Sequence, residues 1–437
     1  MEITFNPERI GVERLNSLQL DALELQRSSK DVILLAPTGS GKTLAYALLV
    51  KESLAINLTT QVLIVVPTRE LAQQIELNFK ALFPTLFTTS VHGGVASSQE
   101  KRRLLEFPSI IIGTPGRVIH HLEEGNIQVR DIHTLILDEY DKSLELGFKD
   151  QIEEISQFLP ENTRKLLVSA TDLKSIPSFL NLKDTAEINH LQARGLAPRI
   201  NVTELKTPAK YKIKALSQLF QNYPVNKTLV FCNHREAVER VSESLEREGI
   251  EHDIFHGKLN QQERELSLFK FSNQSTRILI TTDLASRGLD ITDVELIIHY
   301  QLPISQETFT HRNGRTARVD KRGRVILLTS SEDKRPDFLR NIKEEEINIE
   351  EYDPTSVPSA EFCTLRLNLG KKQKIRKIDV VGYFLSFDSV IAKDQLGQIM
   401  IKDNESFLAV PLELAKRLIE LTKEHKIKGK KVKVSLV

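Results

Sequence analysis

Lys42 and Thr43 close the run Ala36-Pro37-Thr38-Gly39-Ser40-Gly41-Lys42-Thr43, which follows the apolar stretch Val32-Ile33-Leu34-Leu35 and leads into Leu44-Ala45-Tyr46-Ala47-Leu48-Leu49. Strand, glycine-bearing loop and helix in that order turn successive backbone N–H groups onto a phosphate, at a helix end whose dipole favours anions. Lys42 would meet the terminal phosphates and Thr43 would hold Mg2+, with Thr38, Gly39, Ser40 and Gly41 completing the cradle. Ala36 stands where the general pattern has its first glycine.

A second centre follows the apolar run Leu135-Ile136-Leu137, where Asp138-Glu139-Tyr140-Asp141 would leave the carboxyl end of a strand. Ligands bind at that edge of a parallel sheet, so Asp138 can serve the metal and Glu139 can polarise an attacking water. Phosphoryl transfer also needs positive charge on the γ-phosphate. His311-Arg312-Asn313-Gly314-Arg315-Thr316-Ala317-Arg318 offers it, with Arg315 and Arg318 three apart on one face of a helical turn. If two domains close over one nucleotide, these two become arginine fingers, and a ligand bridging the domains controls hydrolysis. The competing reading of each stretch is an acidic or basic turn in solvent.

The elements that must position these groups come as two series. Gln61-Val62-Leu63-Ile64-Val65-Val66, Ser109-Ile110-Ile111-Ile112-Gly113, Thr134 to Asp138 and Lys165-Leu166-Leu167-Val168-Ser169 read as buried strands alternating with helices. The pattern breaks near Leu191 to Pro198 and resumes with strands at Thr228 to Cys232, His252 to Phe255, Arg277 to Thr281, Glu295 to His299 and Arg324 to Leu328. Asn16 or Ser17 would cap the helix ahead of the phosphate loop. The fold class is therefore α/β, with two tandem parallel-sheet domains and a small C-terminal α+β domain. The domains span residues 1–195, 205–350 and 360–437.

The chain has 437 residues, too many for one ordinary domain, and its 40% hydrophobic and 27% charged composition is that of a folded protein. No apolar run reaches the ~20 residues that span a bilayer, and Met1 to Pro7 lacks a basic region with an apolar core, so the expected location is cytoplasmic, without a membrane. Cys232 and Cys363 lack metal-type spacing and read as reduced core thiols. The overall charge of +1 divides unevenly: residues 360–437 carry 16 Lys and Arg against 9 Asp and Glu, leaving a net of −6 on the rest. A basic tail on a nucleotide-binding body points to a polyanionic partner.

In chain order, Gln19 with Gly11 before it, Ala36 to Thr43, Pro67-Thr68-Arg69-Glu70-Leu71-Ala72, Gly93-Gly94, Thr114-Pro115-Gly116-Arg117, Asp138 to Asp141, Ser169-Ala170-Thr171, Thr282-Asp283-Leu284-Ala285-Ser286-Arg287-Gly288-Leu289-Asp290 and His311 to Arg318 resemble the motif series of the DEAD-box RNA helicases. The resemblance covers roughly residues 10–330. It implies that the two parallel-sheet domains are RecA-like and form an RNA-dependent ATPase using ATP and Mg2+, with Gln19 reading the adenine edge and Asp290 meeting the ribose. Ser169 and Thr171 would link hydrolysis to closure, partnered by Asp141 and His311, while Lys42, Glu139, Arg315 and Arg318 carry catalysis. Thr68, Arg69, Gly94, Thr114, Arg117, Thr282 and Arg287 would contact the RNA backbone without reading its sequence. Several of these small residues also suit plain turns and caps.

Three positions depart from the family: Tyr140 replaces the alanine that gives it its name, and Leu15 and Asn16 replace the usual proline and threonine. The short upstream segment leaves Phe5 as the nearby candidate for stacking on adenine.

The tail, with Lys371, Lys372, Lys374 and Arg376 after its first strand and Lys428 and Lys430 near its end, is similar to the RNA-recognition-motif-like domain of the bacterial DbpA helicases. In that family the tail tethers the enzyme to a hairpin of large-subunit ribosomal RNA. The paired aromatics of a sheet that stacks single strands are missing except for Phe407, so binding through basic loops and RNA shape is expected. The implied function is local unwinding of structured RNA by a monomer during large-subunit assembly. A general RNA chaperone and an ATP-dependent RNA clamp remain alternatives, and the sequence specifies no protein partner. Deleting residues 360–437 is expected to lower RNA specificity, seen by crosslinking in cells, and to leave basal ATP hydrolysis in place; loss of hydrolysis would count against a tether.

Overall fold

A computed structural model describes the chain except residues 1–2, 29, 173–175, 192–198, 287–290, 292–293, 317–321, 347–358 and 424, and the side chains of 199, 286, 322 and 343–346. It divides into two compact units, one holding the N-terminal sheet and the other the second sheet together with the tail.

Seven short strands form the first sheet: β1 (Val32–Leu35), β2 (Val62–Val65), β3 (Thr88–Val91), β4 (Ile110–Gly113), β5 (Thr134–Leu137), β6 (Arg164–Ser169) and β7 (Ala186–Asn189). Their order is β3-β4-β2-β5-β6-β1-β7, and every pairing is parallel. Helices α1 (Ser17–Glu24), α2 (Lys42–Lys51), α3 (Arg69–Leu82), α4 (Ser97–Leu104), α5 (Pro115–Glu123), α6 (Tyr140–Glu145) and α7 (Lys149–Phe158) lie between and around them. Two apolar clusters form on this sheet, so its strands are buried runs instead of alternating ones. Asn16 caps α1 and Gln19 closes a reciprocal capping box with it.

The second sheet contains β8 (Arg199–Lys206), β9 (Thr228–Phe231), β10 (Asp253–Phe255), β11 (Ile278–Thr281), β12 (Leu296–His299), β13 (Arg322–Thr329) and β14 (Lys343–Glu346), with α8 (Lys212–Asn222), α9 (Arg235–Arg247), α10 (Gln261–Ser272) and α11 (Gln306–Asn313). Its order, β10-β11-β9-β12-β13-β8-β14, repeats the first sheet strand for strand.

Four strands, β3, β7, β8 and β14, lie outside the strands expected from sequence. β3 is Thr-Thr-Ser-Val and β14 is Lys-Glu-Glu-Glu, so neither carries an apolar run, and both β7 and β14 are edge strands.

In the tail, β15 (Phe362–Leu367), β16 (Ile399–Ile401), β17 (Ser406–Pro411), a two-residue pair β18 (Lys426–Ile427) and β19 (Lys430–Lys431), and β20 (Val434–Leu436) accompany α12 (Lys377–Leu385) and α13 (Leu412–Thr422). The main sheet runs β16-β17-β15-β20 and is antiparallel. The alternating stretch Lys431 to Leu436 does not run as one strand: Lys430 and Lys431 turn back on Lys426 and Ile427, and only Val434–Leu436 joins the sheet. β17 is also absent from the sequence reading, although Ser406 through Val410 are buried.

One face of this sheet carries the tail's own core, including Leu365, Leu408, Phe384 and Leu418. Its other face meets the end of α10. Phe407, 2% exposed, packs against Phe269 with ring centroids 6.4 Å apart. Around the rings, Thr364 joins Asn273 at 3.3 Å and Ser275 at 2.9 Å, Ser272 reaches Gln398 at 2.9 Å, and Lys402 pairs with Glu265.

Phe407→Ala should cost about 3–5 kcal/mol of stability in denaturant unfolding. It should also speed amide exchange in α10; unchanged exchange there would show that the ring does not hold the tail to the helix.

Candidate nucleotide and RNA sites

The phosphate loop leaves β1 at its carboxyl end and opens α2 at Lys42. Gly39 and Gly41 have φ of +79° and +87°, a left-handed backbone that favours glycine, and a Cβ on Gly41 would stand 2.3 Å from Gln19 Nε2. Gln19 therefore lies against the loop: its Oε1 accepts from Asn16 N at 3.0 Å and its Nε2 donates to the Gly41 carbonyl at 3.4 Å. Asn16 Nδ2 adds a 2.9 Å bond to the Ser40 carbonyl. Lys42 Nζ reaches the Ala36 and Pro37 carbonyls at 2.8 and 3.1 Å, across the cradle. Phe5 lies at the other end of α2, packed on Phe83 and under Lys51.

Asp138 follows β5 and is buried. Tyr46, read in the sequence only as part of an apolar helix, donates to Asp138 Oδ2 at 3.1 Å, and lies three residues after Thr43, one turn along α2. Burial raises the Asp138 pKa, and the Lys42 charge and the Glu139 N–H bond oppose that rise. Glu139 has φ of +48°, a strained conformation for a non-glycine residue, steadied where its N–H meets Asp138 Oδ1 at 2.8 Å. Tyr140, at the departure from the family pattern, is fully buried in the core beside β5, and its hydroxyl has no hydrogen-bond partner among the described residues. Burial pushes its pKa above the usual phenol range.

Ser169, Thr171 and Asp141 form one network. Thr171 Oγ1 donates to Asp141 Oδ2 at 2.8 Å, Ser169 Oγ donates to the Thr171 carbonyl at 2.6 Å, and Thr171 N returns to Ser169 Oγ at 3.1 Å. The fourth expected member, His311, is buried in the second unit.

Among the backbone-contact candidates, Arg69 lies along the Gly93-Gly94 turn, where a Cβ on Gly93 would come within 2.9 Å of its guanidinium. Thr68 caps α3, its hydroxyl accepting from Leu71 N at 3.3 Å. Thr114 precedes α5 without a capping bond and is half-buried. Arg117 is held at 2.5 Å by the buried carboxylate of Glu100. Thr282 accepts from Leu284 N at 3.5 Å. Arg287, Asp290 and Arg318 lie outside the described residues. Arg315 is described and 6% exposed.

Between His311 and Arg315, sequence reasoning gave Arg312 no role, yet it is the largest fully buried side chain among the described residues. It binds Asp283 through Nε and Nη2 at 2.5 and 3.1 Å, Asn233 at 2.7 Å and the Gln301 carbonyl at 2.9 Å, with Phe231 against its plane. Arg312 can only donate, so its 3.3 Å contact makes His299 Nδ1 an acceptor and leaves Nε2–H for Asn313 Oδ1 at 2.9 Å.

In the tail, Lys371, Lys372, Lys374 and Arg376 are exposed, and the later basic stretch folds back on them. Lys428 Nζ binds Asp379 at 2.6 Å and the Lys374 carbonyl at 3.1 Å, and Lys430 Nζ binds the Gln373 carbonyl at 2.8 Å. Two stretches over fifty residues apart form one cationic surface. Phe407, the stacking candidate, is taken by Phe269 and cannot offer its ring to a base.

Residues 16–176 match the DEAD/DEAH box helicase family and residues 211–320 the helicase conserved C-terminal domain, which defines a two-domain helicase core. Residues 364–436 match the DbpA RNA binding domain. The chain is 32% identical to the ATP-dependent RNA helicase DbpA of Escherichia coli over 99% of its own length and 96% of that protein's, and 29% identical to the Bacillus subtilis DbpA over 98% and 96%. Its fold is similar to Saccharomyces cerevisiae Dbp5 bound to RNA and ADP BeF3 (TM-score 0.69, 22% identity, 80% of this chain and 96% of that one). It is also similar to the DEAD-box helicase Mss116 bound to single-stranded RNA and UDP-BeF (TM-score 0.68, 27% identity, 79% and 77%). The chain belongs to the DEAD-box ATP-dependent RNA helicases of the DbpA type. It binds ATP and RNA and is an RNA-dependent ATPase and helicase.

Burial and the Arg312 charge push the His299 pKa down to about 3. An unfolded histidine takes up its proton near pH 6.5, so between these values the unfolded chain binds more protons and stability falls as pH falls. The loss approaches the order of 4 kcal/mol near pH 3. Urea unfolding from pH 7 to pH 4 should show this slope, and His299→Gln should flatten it.

Proposed function

We propose that the enzyme remodels structured ribosomal RNA during large-subunit assembly, as a cytoplasmic monomer, with its tail holding one RNA element while the two sheet domains open a nearby duplex. The observation that carries this reading is the tail. Its cationic loops converge on one surface while its sheet face is closed by α10, which suits recognition of folded RNA by charge and shape. The match to DbpA proteins along the whole chain supports the ribosomal target. Cys232 and Cys363, both buried with thiol pKa values pushed up to about 12 and 11, suit a reducing compartment. No described helix is long and apolar enough to cross a membrane.

Within this reading Lys42 leaves its own loop carbonyls for the terminal phosphates, and Gln19 exchanges its 3.4 Å bond to Gly41 for the adenine edge. The hydroxyl of Thr43 and the carboxylate of Asp138, the latter buried and held by Tyr46, are hard oxygen donors, which fits Mg2+; these two would hold it, and it would neutralise phosphate charge. Glu139, aimed by its left-handed backbone, orients the attacking water. Arg315 and Arg318 bring charge to the γ-phosphate, Asp290 meets the ribose, and the Ser169–Thr171–Asp141 network with His311 reports hydrolysis to the RNA side. Thr68, Arg69, Gly94, Thr114, Arg117, Thr282 and Arg287 line the RNA path.

ATPase stimulation by a large-subunit ribosomal RNA fragment, set against an unrelated hairpin of equal length, tests the target. At least tenfold greater stimulation by the ribosomal fragment is expected, dropping to parity when residues 360–437 are removed. Equal stimulation of the intact chain would favour the general chaperone. Glu139→Gln should lower hydrolysis by about 100-fold or more while ATP still binds.

A further inference from the structure

β3 and β4 are neighbours at the edge of the first sheet, and α4 is the crossover between them. The turn after β3 carries Gly93 and Gly94, and β4 leads through Thr114 directly into the first turn of α5, which carries Arg117; both lie on the proposed RNA path. Glu100, on α4, lies between these turns and is 0% exposed. Its Oε1 accepts from His92 N at 2.8 Å, immediately before Gly93. Its Oε2 accepts from Arg117 Nε at 2.5 Å and from His121 Nε2 at 2.9 Å. Asn126 Nδ2 reaches the other ring nitrogen of His121 at 3.1 Å, which makes that nitrogen the acceptor and assigns the proton to Nε2. Arg117 Nη2 also points at the Val95 carbonyl, at 3.5 Å, one residue past Gly94.

Such a carboxylate is not placed for solubility. Isolated in the interior it would be costly, and here three donors satisfy it, one from the end of β3 and two from α5. It also explains the geometry of Arg117, whose guanidinium is turned inward when an exposed phosphate-binding arginine would extend into solvent. Arg69 extends the chain of contacts. His92 Nδ1–H closes on the Gly93 carbonyl at 3.0 Å, and the Arg69 guanidinium runs along the Gly93-Gly94 backbone. A change at Glu100 therefore reaches both turns and, through Gly93, the arginine lying on them.

We infer that Glu100 is a positioning residue for RNA: by binding His92 N and Arg117 together it fixes the Gly93-Gly94 turn and the start of α5, from Thr114 to Arg117, as one rigid edge for the RNA backbone. This rests on the reading that these turns contact RNA. Glu100 touches neither ATP-binding loop nor the tail, so its effect is confined to how tightly RNA binds and how well it triggers hydrolysis at low concentration.

The test is RNA-stimulated ATPase of the full chain with a single-stranded oligonucleotide that lacks any hairpin for the tail, in Glu100→Gln, Glu100→Ala, Arg117→Gln and Arg69→Ala. Glu100→Gln can still accept from His92 N but loses the charge opposite Arg117. It should raise the KM for RNA about 5-fold or more, with kcat at saturating RNA within twofold, and Glu100→Ala should raise it further. The pair Glu100→Gln with Arg117→Gln should be no worse than Arg117→Gln alone, because both break one contact. A melting temperature that falls with KM unchanged would make Glu100 merely structural and overturn the inference. Arg69→Ala separates the two layers: if it raises KM and Glu100→Gln does not, the positioning role fails, and if neither does, the reading of these turns as an RNA edge fails with it. Should Glu100→Ala not fold, Glu100→Gln alone decides.

Discussion

Strands paired in parallel all point one way, so each loop that follows a strand leaves from the same edge of the sheet. In the first unit this constraint brings the segments after β1, β2, β3, β4, β5 and β6 to one side. With the last residue of β6, Ser169, they carry Lys42, Thr68, Gly93, Thr114 and Asp138, residues spread over more than a hundred positions. Short strands serve this arrangement because the function resides in the loops, and the apolar strands have only to hold register beneath them. The second sheet repeats the strand order and so gathers its own loops in the same way.

Charge buried near that edge is handled by partners instead of by water. Asp138 has Tyr46, the Glu139 N–H and the nearby Lys42 charge. Glu100 has three donors, and Arg312 divides its donors among Asp283, Asn233, Gln301 and His299. Removing one partner from such a cluster leaves a desolvated charge and costs several kcal/mol, so these groups tolerate little substitution. The local order they impose is also what phosphate chemistry requires, since donors arranged in advance need not reorganise when the ligand arrives.

The sequence was most informative where spacing alone dictates geometry. The phosphate loop needs glycine at 39 and 41 for reasons visible in the letters, and Asn16 before Gln19 announces a capped helix. Apolar runs disclosed five strands of each large sheet. β3 and β14 stayed hidden because edge position and polar composition leave no run to detect. Tyr46 and Arg312 were hidden for another reason. Each acts through a partner remote in sequence, Asp138 for one and Asp283 and Asn233 for the other, and no local pattern encodes such a meeting. Arg117 reads from the sequence as a candidate RNA contact, and the structure turns it toward Glu100, a residue that reads on paper as one more charge on a polar helix.

The covered sheet of the tail has a consequence for turnover. Opening a duplex releases single strands, and an open sheet of aromatic side chains binds such strands well. A helicase carrying one beside its motor would hold its own product and slow each cycle by product inhibition. With Phe407 packed on Phe269 and Thr364 joined to Asn273 and Ser275, that face of this tail is closed to strands while its cationic loops remain exposed. Under the proposed function, the same packing that fixes the tail to α10 would separate the RNA that the tail holds from the RNA that the core lets go.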